Sequence, residues 1–158
     1  DVASIVDGFC GDCSAMVVVG GMTDEKRQKT VDAAYGSMMA GIEILRPGLM
    51  LCEIGKAIED YATGKGCSVV YQFVSHGVGL SMHEAPQIPH NYNNIQIPIV
   101  EGMTFTVEPM INYGKPDCYV SKEDGWTAPT VDGEPSAQWE HTIYITQDGY
   151  EILTRPSA

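Results

Sequence analysis

Basic side chains and long apolar runs are both scarce in this 158-residue chain. It has 9 lysines and arginines against 21 acidic residues, a formal net charge of −12 at pH 7. It therefore lacks the clustered positive charge that phosphate backbones require. Its longest apolar runs, such as the three valines at 17–19, fall far short of a membrane span. Neither nucleic acid nor a membrane is expected as a direct partner.

Cysteine is too sparse and too scattered for a disulfide framework. The five thiols are an odd number, which fits reduced cysteines in a cytoplasmic protein. Cys10 and Cys13 form a C-x-x-C motif, but no second pair or nearby histidine completes a zinc tetrad. An extended strand would also point these two side chains to opposite faces. A redox or zinc site is therefore not expected here.

A hairpin is predicted at the start of the chain. Asp7-Gly8 separates two alternating segments and is a strong signal for a two-residue turn. Pairing across that turn sets Ala3 opposite Asp12, so Asp1 and Asp12 project from one face as diagonal neighbours. Two carboxylates so close repel each other unless a cation lies between them. The hairpin thus predicts a pair of metal-binding aspartates.

The rest of the chain predicts two helices followed by strands. Thr23 and Asp24 stand at the cap of a first helix, and a second helix over 51–65 stops at Gly66. Proline and asparagine over 85–98 predict a surface loop. This order predicts an α+β fold, with helices covering one face of a mostly antiparallel sheet. Strands are predicted at 67–74, 103–110, 137–146 and 150–154.

Three further residues stand in contexts suited to metal binding. His76 lies in a glycine-rich segment, Glu108 in F-T-V-E-P-M, and Glu140 in S-A-Q-W-E-H-T. With Asp1 and Asp12 they make four carboxylates and one imidazole, a donor set suited to Mn, Fe, Co or Zn. Two such ions about 3.5–4 Å apart share and deprotonate one water molecule. The combination predicts a hydrolase with two metal ions.

These segments together resemble the type I methionine aminopeptidases of the pita-bread metallopeptidase family. The family's first metal segment has two aspartates with ten residues between them, which Asp1 and Asp12 match. Its HG-x-G-x-x-x-HE-x-P segment matches residues 76–86, and its F-T-x-E-P-M and S-A-Q-x-E-H-T strands contain Glu108 and Glu140. The resemblance implies the C-terminal part of a pita-bread fold, a mostly antiparallel curved sheet covered by helices.

The resemblance also implies an activity. Enzymes of this kind remove the N-terminal methionine from nascent proteins when the next residue is small, through a hydroxide that bridges two divalent ions (Co, Mn, Fe or Zn). Nascent N-termini are then the expected partners, with the ribosome as a second candidate, and a cytoplasmic monomer is expected. The implied roles are metal binding by Asp1, Asp12, His76, Glu108 and Glu140, catalysis by Glu108 and His83, and substrate binding by His83, Trp126 and Met82.

Two alternatives stay open. One is an Xaa-Pro aminopeptidase of the same fold, although those relatives usually carry R-x-E-D-T where this chain has Q-W-E-H-T at 138–142. The other is a non-catalytic pita-bread domain that binds peptides or proteins, although such domains usually lose metal ligands. Family members carry a preceding half-domain, so residues 1–158 are expected to be a single domain, the C-terminal portion of the catalytic domain.

Overall fold

The computed structural model describes residues 1–21 and 24–155. Within these ranges the chain forms two α-helices and ten β-strands, and neither helix is both long and apolar enough to span a membrane. The helices are α1 (Glu25–Glu43) and α2 (Leu51–Gly64). The strands are β1 (Val2–Val6), β2 (Phe9–Cys13), β3 (Ser68–Val69), β4 (Val74–Gly77), β5 (Glu84–Pro89), β6 (Thr104–Val107), β7 (Met110–Asn112), β8 (Ser136–Gln138), β9 (His141–Ile145) and β10 (Tyr150–Ile152).

The hairpin of β1 and β2 has the predicted register. Ala3 pairs with Asp12, and the turn residues Asp7 and Gly8 have φ values of 51° and 87°. Two successive residues with positive φ make the turn whose twist suits a two-residue hairpin. Beyond β2, Ser14 forms an isolated antiparallel bridge with Glu140. The hairpin is thereby attached to the rest of the molecule beside a predicted metal ligand.

Both helices were predicted correctly. The Asp24 side chain accepts a hydrogen bond from the backbone N–H of Arg27 at 2.9 Å and so caps α1. Thr23, the other predicted cap residue, lies outside the described residues. After α2, Gly66 adopts a φ of 67°, a conformation that favours glycine just past a helix end. The two helices pack against each other and bury one face against the sheets.

Among the described residues, the eight strands that follow the hairpin form two antiparallel sheets. One has five strands in the order β10-β9-β6-β4-β5, and the other has three in the order β3-β7-β8. Burial of apolar side chains between helices and sheets is the main stabilising contribution. The fully buried core includes Met38, Ile42, Leu51, Ile54, Ile58, Phe105, Ile111, Ile143 and Ile145.

Several predicted strand boundaries were wrong. The strands predicted at 103–110 and 137–146 are each interrupted, after Val107 and after Gln138, and their two parts belong to different sheets. The strand predicted at 67–74 is likewise split into β3 and β4, and β4 extends to include His76. The predicted loop at 85–98 begins with β5, which tolerates prolines because it lies at the sheet edge.

The contact between α2 and β5 predicts a stability effect at Gly55. A Cβ there would collide with the carbonyl oxygens of Pro89 and Asn91, so Gly55→Ala should lower the free energy of unfolding by about 2 kcal/mol. Gly64→Ala, in the same helix but facing open space, is the control and should raise it by up to about 1 kcal/mol. Urea unfolding measures both. Equal free energies of unfolding for the two variants would show that the close packing at residue 55 does not exclude a Cβ.

Candidate metal centre

Four of the five predicted ligands converge in one cluster. Asp12, His76 and Glu140 each offer a ligand atom, and these atoms all lie within 4.8 Å of one another. Glu108 joins them, because its Oε1 lies 3.2 Å from His76 Nε2. Asp12, His76 and Glu140 are buried, and the Glu108 side chain is only 14% exposed. Residues from separate parts of the sequence thus form one site withdrawn from solvent.

Backbone hydrogen bonds hold the hairpin against the sheet at this cluster. The N–H of Glu140 donates to the carbonyl of Ser14 at 3.2 Å, and the hydroxyl of Thr142 donates to the carbonyl of Asp12 at 2.7 Å. A third bond joins the Cys10 N–H to the carbonyl of Gly79 at 2.7 Å. Asp12 therefore reaches the cluster from β2 with its own backbone fixed by β9.

The His76 ring is oriented by its neighbour in β4. Its Nδ1 lies 3.0 Å from the carbonyl oxygen of Gly77, so Nδ1 carries a proton and Nε2 faces the carboxylates. The β4–β5 pairing shifts between His76 and Gly77. A Cβ at Gly77 would collide with the carbonyl of Ala85, so this close approach requires glycine.

Two side chains orient the Glu108 carboxylate. The Thr106 hydroxyl donates to Oε1 at 2.7 Å, and the Gln138 amide donates to Oε2 at 3.2 Å. In the predicted strands at 103–110 and 137–146, alternation groups Thr106 with Glu108 and Gln138 with Glu140. It is a sequence signal for the Thr106 contact but not for that of Gln138, and neither residue was assigned a role from the sequence.

Two carboxyl groups of the site have raised pKa values. Burial, opposed by the Thr106 and Gln138 hydrogen bonds and reinforced by the Asp12 charge, raises the pKa of Glu108 to about 7. Burial and the charges of Glu108 and Asp12 raise the pKa of Glu140 to about 8. Within the described residues Glu140 Oε2 is buried without a hydrogen-bond partner. Like charges held this close favour protonation unless a cation is present.

The donor set fits divalent cations. Carboxylate oxygens and one unprotonated imidazole nitrogen are the ligands of hard or borderline ions, and an ion would also engage the unpartnered oxygen of Glu140. The cysteines play no part in the arrangement, since all five are free thiols outside the cluster. The residues present are therefore suited to hold metal.

Asp1 stands apart from the other predicted ligands. It is exposed at the start of β1 and is not among the residues whose ligand atoms converge. Its role as a ligand stays a prediction.

One of the predicted substrate residues, His83, lies directly beside the cluster. The exposed His83 ring lies edge-on to His76, with ring centroids 4.4 Å apart. The neighbouring Glu84 carboxylate accepts a hydrogen bond from the Ser81 N–H at 2.7 Å and so closes the loop that presents His83. Trp126 is 87% exposed on a separate loop, and Met82 is half-buried. The substrate roles of His83, Trp126 and Met82 stay predictions.

The burial of His90 was not predicted from the sequence. His90 is 1% exposed and its Nε2 lies 2.6 Å from the Ser75 hydroxyl, which in turn contacts the backbone of Glu108. The surrounding sequence, P-H-N-Y-N-N, is polar and predicted a surface position. No local signal marks His90, because its partner lies fifteen residues earlier in another strand.

The chain was compared with protein-family models and with known proteins. Residues 1–147 match the model of metallopeptidase family M24. The chain is 54% identical over 154 residues to a methionine aminopeptidase of Chlamydia pneumoniae, an alignment that covers 98% of this chain and 53% of that protein. It is 43% identical over 156 residues to the Escherichia coli methionine aminopeptidase, of which it covers 58%. The chain thus spans about half the length of the curated relatives it matches.

Solved structures confirm the predicted fold class. A methionine aminopeptidase from Rickettsia prowazekii matches with a TM-score of 0.94 at 46% identity, over 98% of this chain and 62% of that one. A prolidase from Pyrococcus furiosus matches with a TM-score of 0.74 at 22% identity, over 99% and 40% of the two chains. The second likeness shows the fold alone.

The raised carboxylate pKa values predict how stability depends on pH without metal. The pKa values of Glu108 and Glu140 rise from 4.5 to about 7 and about 8 on folding, so the folded state retains protons that the unfolded state releases. This stabilisation is complete below about pH 4.5 and is lost as the pH rises through 7 and 8.

Glu140→Gln should remove on the order of 3 kcal/mol of that dependence, because glutamine does not ionise. Urea unfolding in the presence of a chelator, from pH 4.5 to 9, measures it. Glu101→Gln, which changes an exposed glutamate, is the matched control. Equal pH slopes in the two variants would contradict the electrostatic account of the cluster.

Proposed function

The chain belongs to metallopeptidase family M24, and on that premise we propose that it is the metal-binding part of a type I methionine aminopeptidase. The reaction would release the N-terminal methionine of nascent proteins when the next residue is small. The observation that carries this proposal is the convergence of Asp12, His76, Glu108 and Glu140 in one shielded cluster. Residues 1–158 would form a single domain, the C-terminal portion of the catalytic domain.

Two divalent ions, of Co, Mn, Fe or Zn, are proposed as cofactors. His76 and Glu108, which lie 3.2 Å apart, would hold one ion. Asp1 would hold the second, because the pairing of Ala3 with Asp12 makes Asp1 and Asp12 diagonal neighbours on one face of the hairpin. Asp12 and Glu140 would serve both ions. When bound, the ions would polarise the scissile carbonyl and lower the pKa of a water molecule.

Glu108 is suited to move the proton. Its carboxylate lies in the shielded cluster where the metal-bound water would stand, so it can accept a proton from that water and then release it. Oε1, the oxygen nearest His76, would take the proton from the attacking water and pass it to the leaving amine. Thr106 and Gln138 keep the carboxylate in place while its charge changes.

His83 and the acidic charge of the site would bind the substrate. The His83 imidazole lies beside His76 and is exposed, so it can donate a hydrogen bond to a peptide carbonyl or accept one from a peptide N–H at the cluster. A substrate's free amino group would be attracted by the carboxylates. Trp126 and Met82 would contribute to the pocket for the methionine side chain.

The proposed partners and location follow from this activity. Nascent polypeptide N-termini would be the substrates, with the ribosome as a further partner, and the enzyme would act as a monomer. Five free thiols support a reducing compartment, so we propose the cytoplasm.

Peptide cleavage by the full-length protein tests the proposal. Loaded with Mn²⁺ or Co²⁺, it should release methionine from a Met-Gly-Met peptide and leave a Gly-Pro peptide intact. Metal analysis should find two ions per chain. Cleavage of the Gly-Pro peptide instead would identify an Xaa-Pro aminopeptidase. Absence of both stoichiometric metal and cleavage would identify a non-catalytic domain.

Substitutions of Glu108 and of His83 should have different effects on turnover and metal binding. Glu108→Ala should abolish turnover and weaken metal binding, because it removes a ligand and the proton carrier together. His83→Ala should retain both ions but lower kcat by about a hundredfold, the usual range for loss of one hydrogen-bonding group at the reacting atoms. Steady-state kinetics and metal analysis measure the difference. Ser81→Ala, in the same exposed loop, is the control; loss of metal from His83→Ala would show that His83 is a ligand.

A further inference from the structure

Side-chain hydroxyls accept backbone hydrogen bonds between β4, which contains His76, and the end of β6, which Glu108 follows directly. The β4–β6 register contains one pair, Gly77 with Phe105. Beyond it, the N–H of His76 donates to the Thr106 hydroxyl and the N–H of Glu108 donates to the Ser75 hydroxyl, each at 3.1 Å. The backbone at both predicted ligands is therefore held by a hydroxyl of the neighbouring strand.

Glu108 depends on this bond more than most residues of a strand would. β6 ends at Val107 and Pro109 has no N–H to donate, so the chain passes from one sheet to the other with few backbone bonds. The Ser75 hydroxyl supplies the acceptor at this point. Ser75 is 1% exposed, so water does not replace it readily.

His90 determines which way the Ser75 hydroxyl points. The two side chains are 2.6 Å apart at Nε2, and both are 1% exposed. If Nε2 carried the proton, the Ser75 hydroxyl hydrogen and His90 Nδ1 would both lack partners within the described residues. If Ser75 donates to Nε2, only the Nδ1–H lacks one. Because each unpaired buried polar group is unfavourable, the second arrangement, which leaves fewer of them, is favoured.

We infer that Ser75 and His90 are positioning residues for Glu108. His90 accepts the Ser75 hydroxyl hydrogen and thereby turns an oxygen lone pair toward the Glu108 N–H. Glu108 is thus held where its carboxylate meets His76 Nε2. Burial lowers the pKa of His90 to about 3, so the ring stays neutral and keeps its acceptor. This inference rests on the proposed function, in which Glu108 binds metal and carries the proton.

Two substitutions at His90 separate positioning from simple packing in the full-length protein. His90→Leu removes the acceptor, whereas the amide oxygen of His90→Gln stands near the place of Nε2. We expect His90→Leu to lower kcat by about tenfold, the equivalent of one hydrogen bond, with KM changed less than twofold. Its affinity for Mn²⁺, measured by titration calorimetry, should fall by a similar factor. His90→Gln should restore most of both.

A packing role would instead lower the melting temperature of both variants and leave kcat and Mn²⁺ affinity equal to those of the unmodified protein, which would overturn the inference. If His90→Leu does not fold, Ser75→Ala removes the same bond to Glu108 and is expected to show the same losses. Unchanged kcat and Mn²⁺ affinity in a folded Ser75→Ala would likewise overturn it.

Nitrogen NMR of the metal-free protein provides a test independent of turnover. His90 should carry its proton on Nδ1, and Ser75→Ala should shift the resonances of His90 Nε2 and of the Glu108 amide. A proton on Nε2 would overturn the inferred direction of the bond. If the unmodified protein cleaves no peptide, the proposed function fails, and the Mn²⁺ affinities and these resonances still decide the role of the pair.

Discussion

Burial of several carboxylates around one imidazole is the constraint on which the rest of this structure depends. Asp12, Glu108 and Glu140 surround His76, and burial together with the charges of neighbouring carboxylates raises the pKa values of both glutamates into the neutral range. A fold that gathers such groups without a cation loses stability as the pH rises, because each ionised carboxylate raises the energy of its neighbours. Bound divalent ions would offset the repulsion between these carboxylates, which packing of apolar side chains does not do.

The regular structure is interrupted at three of the four ligands in the cluster. Glu108 follows the end of β6, Glu140 precedes β9, and the pairing of β4 with β5 shifts directly after His76. A continuous ladder would fix each side chain to one face and use every backbone donor. Breaks and bulges free the chain to change direction there, while hydroxyls and an amide replace the lost bonds. The ligands are thus aimed by side-chain contacts rather than by strand geometry.

This division explains what the sequence could predict. The hairpin register followed from Asp7-Gly8, and the two helices from apolar spacing, because both are local features. Alternation grouped Thr106 with Glu108, but it could not show that the strand ends there, since that depends on which sheet each part joins. β5 was predicted as a loop because its edge position, which tolerates proline, is a property of the assembled sheet. The burial of His90 was not predicted because it, too, depends on contacts that form only in the assembled sheet.

The hairpin shows how metal binding and folding would be coupled in this molecule. Asp12 comes from a two-stranded sheet whose apolar residues Val2, Ile5, Val6 and Phe9 are 64–68% exposed. Such a hairpin has little stability of its own. Its backbone joins the larger sheet beside Asp12 and Glu140, so an ion held by both carboxylates would add bonds at the same place. Because a ligand that binds only the folded state stabilises it, bound ions would stabilise the attachment of the hairpin to the larger sheet.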